Sequence, residues 1–141
     1  MTPDPFELKV VTYKDYQSDI QYIRTQVFII EQGIPESLEW DSYEHSSWHV
    51  LAFSGSQAVA TGRLQPDGKI TRIAVLKPWR QMGLANQILV TLLQLAADYG
   101  LESLYLNAQT SATGLYKKHG FTSDGEVFDE GGIEHIRMQR L

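Results

Sequence analysis

Apolar residues along this chain change period several times, and each change marks an element. Glu7 to Tyr13 (ELKVVTY) reads as a first strand. Ile20, Ile23, Val27 and Phe28 then recur at helical spacing, which predicts a helix capped by Asp15 and stopped by Gly33 and Pro35. Pro35 to Ser47 is acidic, turn-rich and without period, and predicts a connecting loop or short helix. His49 to Phe53 (HVLAF) and Gln57 to Gln65 (QAVATGRLQ) predict strands around Ser54-Gly55-Ser56, and Pro66-Asp67-Gly68 turns the chain into a third, KITRIAVL. Leu84, Ile88, Leu92 and Leu95, with Ala85, Leu89 and Ala96, form a wide apolar stripe, so Gly83 to Tyr99 should be a long amphipathic helix ended by Gly100. Ser103 to Ala108 predicts a strand, and Ser111 to His119 a brief helix closed by Gly120. Two last strands, around Gly125 to Phe128 and Ile133 to Arg140, turn on Gly131-Gly132.

This order places the chain in the α/β (α+β) class. The third meander strand, the long helix and the next strand make a βαβ crossover, which implies a mixed sheet with helices on its faces. A chain of 141 residues, 43% of them hydrophobic, is about the size of one domain, and residues 1–141 are read as one.

A formal charge of −5 supplies no basic field for nucleic acid and mildly favours a cationic small molecule or peptide. With no cysteine there is no thiolate nucleophile, disulfide framework or cysteine-based zinc site. The start MTPDPFELKV lacks the basic flank and apolar run of a signal peptide, and no segment is apolar for long enough to span a bilayer. A cytoplasmic protein acting away from membranes is the expectation.

The junction AVLKPWRQMGLANQI, Ala74 to Ile88, joins a strand to a helix. Unpaired amides at a helix N-terminus direct partial positive charge outward, and a phosphate fits there. Arg80 adds a charge-assisted fork, Gly83 removes a side chain from the approach, and Ala85 keeps the first turn thin. The plainer alternative is an ordinary helix start with Arg80 solvated and Gly83 serving only the turn.

The run Arg80-Gln81-Met82-Gly83-Leu84-Ala85 resembles the R/Q-x-x-G-x-G/A signature of the GNAT superfamily of N-acetyltransferases, which binds the pyrophosphate of acetyl-CoA between strand and helix. Leu104 to Phe121 resembles that family's strand, helix and Y-x-x-x-G-F ending. Val27 to Pro35 (VFIIEQGIP) and Gly125 to Met138 resemble a branch of small bacterial GNAT proteins carrying an EQGIP block. Ala85 stands where many members have a second glycine. The resemblance implies a GNAT-like mixed, mostly antiparallel sheet flanked by helices, whose fourth and fifth strands splay around acetyl-CoA. It further implies that Arg80, Gln81, Met82, Gly83, Leu84 and Ala85 hold the phosphates. Val75 and Asn107 would meet the pantetheine, and Tyr116 would face the thioester sulfur.

Acetyl transfer to an amine needs an unprotonated nitrogen, a donor for the thioester oxygen and a proton for the departing thiolate. Without cysteine or a G-x-S-x-G elbow, direct attack by the amine of a small molecule or peptide suits this inventory, with Tyr116 as general acid. The base stays open among Glu31, Glu39, Asp41, Glu44, His45, His49 and His135. Glu31 is favoured as the carboxylate that orients substrate or water. Arg24, on the Ile20 and Phe28 side of the first helix, contacts substrate or forms a salt bridge. Glu39 and Asp41 belong to an acidic loop that would draw in a cationic acceptor, and His135 either faces the cleft or packs beside the sheet. His45 and His49 have zinc-like spacing, but a strand at His49 breaks it, so no metal is expected. A non-catalytic acyl-CoA-binding regulatory module is the rival reading. A nucleotide-binding domain lacks its glycine motifs, and a homodimer is left open.

Overall fold

HVLAF, the most continuously apolar run among the strands, is buried on both faces. Val50 and Ala52 join one hydrophobic cluster while Leu51 and Phe53 join the other, so the side-chain alternation of a single strand defines three layers. The structure, a computed structural model, describes residues 5–141; residues 1–4, which entered the reading of the chain's start, lie outside them. Strands β1 (Glu7–Val11), β2 (Trp48–Ser54), β3 (Gln57–Leu64) and β4 (Ile70–Val75) form an antiparallel sheet in that order. On one face lies α3 (Leu84–Asp98), burying Leu84, Ile88, Leu89, Leu92, Leu95 and Ala96. The other face carries α1 (Tyr13–Arg24) and its continuation, which bury Ile20, Ile23, Val27 and Phe28. A short α2 (Glu36–Glu39) lies in the acidic connection.

Beyond α3 the chain builds a second sheet from β5 (Leu104–Gln109), β6 (Thr122–Ser123), β7 (Phe128–Glu130) and β8 (Ile133–Arg140). β5 and β6 flank β8, which also pairs with β7, all antiparallel. Helix α4 (Thr113–Lys117) lies between β5 and β6. In place of the single mixed sheet read from the element order there are two antiparallel sheets flanked by helices, the mostly antiparallel arrangement that the resemblance implied.

The two sheets meet at one point. Lys69 and Tyr105 form an isolated parallel bridge, and the Tyr105 amide donates to the Gly68 carbonyl at 3.1 Å. Gly68 has φ +95°, and a Cβ there would lie 2.4 Å from the Ser103 carbonyl oxygen, so the turn and the start of β5 touch only because this residue has no side chain. From that joint β4 and β5 diverge, and a cleft opens between them. Within β4 the register with β3 skips from Thr61↔Ala74 to Arg63↔Thr71, setting Arg72 and Ile73 against Gly62 alone, which is a β-bulge. Arg72 takes φ +61°, a left-handed conformation that is costly for a bulky residue.

Several local expectations are corrected. Thr12, not Asp15, caps α1: its Oγ1 accepts from the Asp15 amide at 3.2 Å, and Asp15 sits inside the first turn, where a negative charge suits the helix dipole. The first helix does not run on uniformly but widens into π-helix over Thr25–Glu31, with the Gln32 amide donating to the Val27 carbonyl at 3.2 Å. Arg24, before the wide turns, is buried, and Glu31, at their end, is exposed. The brief helix before Gly120 begins as a 3₁₀ turn at Thr110–Ala112 and is helical only from Thr113, so Ser111 is not its cap.

The acidic connection is anchored rather than solvated. Arg24, 1% exposed, donates from Nε to Glu39 Oε2 (2.8 Å) and from Nη1 and Nη2 to the two Glu44 oxygens (2.7 Å each). Arg63, equally buried, forks onto Asp41 at 2.8 and 2.9 Å and reaches Glu44 at 2.9 Å. Arg72 donates to the Glu39 backbone carbonyl at 2.9 Å and pairs with its carboxylate at 3.1 Å. Three arginines thus balance three carboxylates, which is the condition for burying any of them.

Gly68→Ala should destabilise the protein by about 3 kcal/mol, combining left-handed strain with a clash against rigid backbone, as read from urea unfolding. Gly55→Ala, at φ +60° with open space around it, should lose only about 1–2 kcal/mol.

Burial alone would raise the Asp41 carboxyl, but hydrogen bonds from Arg63 and the Tyr43 amide, with the Arg72 charge, draw it from 3.8 to about 2. A depressed carboxyl stabilises the fold above its unfolded value, and that stability drains away as pH falls through the folded one. Stability should therefore drop between about pH 4 and pH 2, and Asp41→Asn should flatten that slope while lowering stability at pH 7. Urea midpoints at several acidic pH values measure both effects.

Candidate active site

The space between the splayed strands is a cleft of about 310 Å³. Ile70 to Ile73 of β4 form one wall, and Leu106, Asn107 and Gln109 of β5 the other. Phe28, Gln32, Ile34 and Leu38 close it on the α1 side, and Tyr116 of α4 with Glu130, Gly131 and His135 on the side of the second sheet. The Gln109 Nε2 donates to Gln32 Oε1 across the opening at 2.9 Å, and Ile34 packs where a Cβ on Gly131 would lie at 3.3 Å. The mouth is therefore spanned by a polar contact and an apolar one.

From the end of β4 the chain enters the loop that the sequence singled out. Gln81 (φ +65°) and Gly83 (φ +78°) are left-handed, and Gly83 is the N-cap of α3. Its carbonyl accepts the Gln87 amide at 3.1 Å, while among the described residues no side chain caps the helix and nothing lies within 4 Å of a Cβ on Gly83. The first amides of α3 thus face open space, the arrangement that suits a phosphate. Met82 is exposed, Leu84 is buried in the core and Ala85 is half-buried, so only part of the run lies at the surface.

Arg80 is held at three atoms. Its Nε donates to the Val75 carbonyl at 3.0 Å, and its two terminal nitrogens fork onto Glu31 at 2.5 and 2.6 Å. The hydrogen bond from Arg80 holds the Glu31 carboxyl below its ordinary value, and the same bond raises the Arg80 guanidinium. Glu31 is therefore engaged with the junction loop, and its shift is opposite to that of a general base.

Asn107 lies on β5 opposite Arg137 with its side chain lining the cleft. Tyr116 packs edge-on against Phe121, ring centroids 6.0 Å apart, and its hydroxyl has no hydrogen-bond partner among the described residues. Burial pushes this phenol up to about 12, so it carries its proton throughout the neutral range. His135 lines the cleft from β8, with Nδ1 2.7 Å from the Ile133 carbonyl.

Arg24, Glu39 and Asp41, expected to meet substrate, belong to the charge network. Arg24 is enclosed, and each of its guanidinium nitrogens has an acceptor. Asp41 is committed to Arg63. Glu39 borders the cleft, but its carboxylate lies between Arg24 and Arg72; burial outweighs both and raises its carboxyl. Burial lowers His49, whose Nε2 donates to the Glu44 carbonyl at 2.8 Å, and His45 packs edge-on against Tyr13.

The sequence reading passed over Arg72, Gln32 and Gln109. A signal existed for the first: a regular strand would set Arg72 on the core-facing side with Ile70 and Ala74, and only a bulge relieves that conflict. The Gln32–Gln109 contact joins residues far apart in sequence and has no local signature.

Comparison with known proteins agrees with this architecture. The family model described as an acetyltransferase (GNAT) domain matches residues 11–141. YjcF of Bacillus subtilis, described as an uncharacterized N-acetyltransferase, is 38% identical over 140 residues, covering 94% of this chain and 99% of the relative. The crystal structure of an acyl-CoA N-acyltransferase from Pseudomonas aeruginosa superposes with a TM-score of 0.88 at 28% identity, covering 96% of this chain and 99% of that one. A GNAT family acetyltransferase from Elizabethkingia anophelis, solved with acetyl-CoA bound, shares the fold at a TM-score of 0.67 and 20% identity, covering 98% and 99%. With the matched region spanning both sheets, the splayed strands and the junction loop, the chain belongs to the GNAT acetyltransferase family.

Proposed function

We propose that this protein transfers the acetyl group of acetyl-CoA to a primary amine of a small molecule or peptide by direct attack. The observation that carries the reading is the unpartnered Tyr116 phenol, set in a cleft between two splayed strands. The residues present fit the co-substrate. The open amides at the start of α3, with Gly83 uncrowded, suit its phosphates, and the Asn107 side chain, without a hydrogen-bond partner among the described residues, suits the amides of its arm. A bound thioester supplies an activated acetyl group; everything else is the work of this chain.

The β4 bulge leaves a residue without a full ladder pairing beside the cleft, the kind of backbone donor that stabilises negative charge developing on a carbonyl oxygen. Tyr116 serves the leaving sulfur. A free tyrosinate is unfavourable for a phenol near 12, so the hydroxyl works best as a relay: it gives its proton to sulfur while taking one from the nitrogen that has just been acylated. With no cysteine in the chain, an acyl-cysteine intermediate is unavailable, which favours direct attack. Turnover is tested by thiol release from acetyl-CoA against polyamines, amino acids, aminoglycosides and peptides. Release that depends on an added amine supports the reading, whereas tight binding of acetyl-CoA without transfer to any of them favours a regulatory module.

Gly83→Val should lower acetyl-CoA affinity at least about tenfold, because a β-branched residue is strained at φ +78° and its side chain enters the open approach to the α3 amides. Calorimetry on a variant that still shows cooperative unfolding measures it.

Tyr116→Phe should lower kcat by roughly a hundredfold with little change in acetyl-CoA affinity, since the hydroxyl acts mainly in the transition state. In the wild type, a phenol near 12 gives no loss of kcat from its own ionisation up to about pH 10. A pH series of kcat for both proteins measures these effects.

A further inference from the structure

Direct attack leaves one task without an owner. A primary amine with a pKa near that of lysine, about 10.4, arrives as an ammonium at neutral pH and must lose a proton before it can attack. Glu31 is bound to Arg80, Asp41 to Arg63, and Glu39 to two arginines. His135 differs from all of these.

Its Nδ1 lies 2.7 Å from the Ile133 carbonyl, two residues back along β8. A carbonyl only accepts, so this nitrogen carries the ring hydrogen, and in the neutral imidazole the lone pair stands on Nε2. Nε2 lies 3.6 Å from Glu130 Oε2, a carboxylate that is itself only an acceptor. Among the described residues no donor reaches either atom. The ring is 7% exposed and stacks on Phe128 at 6.0 Å with 25° between the planes, so its orientation is restrained. Two acceptors therefore sit side by side on residues that line the same cleft as Tyr116, and a ligand ammonium can donate to both.

Resting on the acetyltransferase reading above, the geometry points to His135 as the catalytic base that takes a proton from the acceptor's ammonium in the cleft, with Glu130 stabilising the imidazolium that results. The protons balance. One passes from the ammonium to Nε2 and later to solvent. The freed lone pair forms the C–N bond as the C–S bond breaks, sulfur takes the Tyr116 proton, and the phenol recovers one from the acylated nitrogen. The products are the amide, the free thiol and one proton in solution.

The groups around His135 leave this role open. Across β5 it faces Gln109, which is uncharged and bound to Gln32, and across β7 it faces Phe128, with Glu130 two residues on. The other titratable groups lining the cleft are Glu39 and Arg72, paired with each other, together with Lys69 and Tyr116.

The test has two arms. In the first, ¹⁵N spectra of the wild-type histidines, assigned through the backbone, should show His135 as the neutral ring protonated on Nδ1 at a pH where transfer is active. An Nε2-protonated ring there overturns the proposal. In the second, kcat/KM for thiol release from acetyl-CoA is followed against pH with the best amine of the panel above. His135→Gln should lower it roughly a hundredfold and remove its acid limb. Glu130→Gln, at an exposed position, should lower kcat/KM about tenfold, because the ammonium loses one of the two acceptors to which it donates. An acid limb that survives in folded His135→Gln, or an unchanged kcat/KM in Glu130→Gln, overturns the assignment while leaving the acetyltransferase reading intact. A wild-type protein that releases no thiol with any amine of the panel overturns that reading, and the base with it.

Discussion

Two neighbouring strands that hydrogen-bond at one end and part at the other determine most of what this molecule can do. The hydrogen bond from the Tyr105 amide to the Gly68 carbonyl, with the adjoining Lys69↔Tyr105 bridge, joins the sheets on the far side of the crossover helix. Had β4 and β5 paired along their length, the sheet would be continuous and its centre filled. Because they part, a cleft opens beside the hydrophobic core, and α4, which follows β5, contributes Tyr116 to its lining. Gly68 makes the joint possible by letting backbone approach backbone.

The buried charges serve this geometry. Arg72 occupies a left-handed bulge that a long side chain does not favour, and the Glu39 carbonyl, the Glu39 carboxylate and Thr71 Oγ1 (2.8 Å) over-determine its position. Through Glu39 and Glu44 the same network reaches Arg24 at the end of α1 and Arg63 on β3. The connection before β2, aperiodic in sequence, is thus fastened to the bulge that shapes one wall of the cleft. Such a lattice is poor evidence for extra stability but contributes a definite geometry, since moving any member leaves a charge buried alone.

Legibility in the sequence followed the range of the interactions. Elements set by side-chain period, such as the α3 stripe and the buried run at β2, could be read directly because burial and periodicity are the same fact seen twice. The junction loop was visible because helix starts and left-handed glycines have local chemistry. Thr12 and Asp15 can both cap, and Thr12 does so, its hydroxyl accepting from the Asp15 amide and so leaving Asp15 inside the first turn. The π-helical widening over Thr25–Glu31 has no periodic signature. Pairings such as Arg80 with Glu31 cross the molecule, and charge type alone could not match the partners. The orientation of His135, an alternating position on a readable strand, turned on a hydrogen bond to its own strand's carbonyl.

The splay also bears on how the protein avoids its neighbours. An unpaired strand edge invites another chain to add to it. The second sheet ends in strands of two and three residues, too short to serve as a template, while the outer edge of β1 carries charged Glu7 and Lys9. The inner edges of β4 and β5, parted beyond the Lys69↔Tyr105 bridge, face a cleft of about 310 Å³, too confined for a second folded protein. Their backbone donors and acceptors are thereby withheld from aggregation and left accessible to anything slender enough to enter, so one gap both protects the sheet and keeps it receptive.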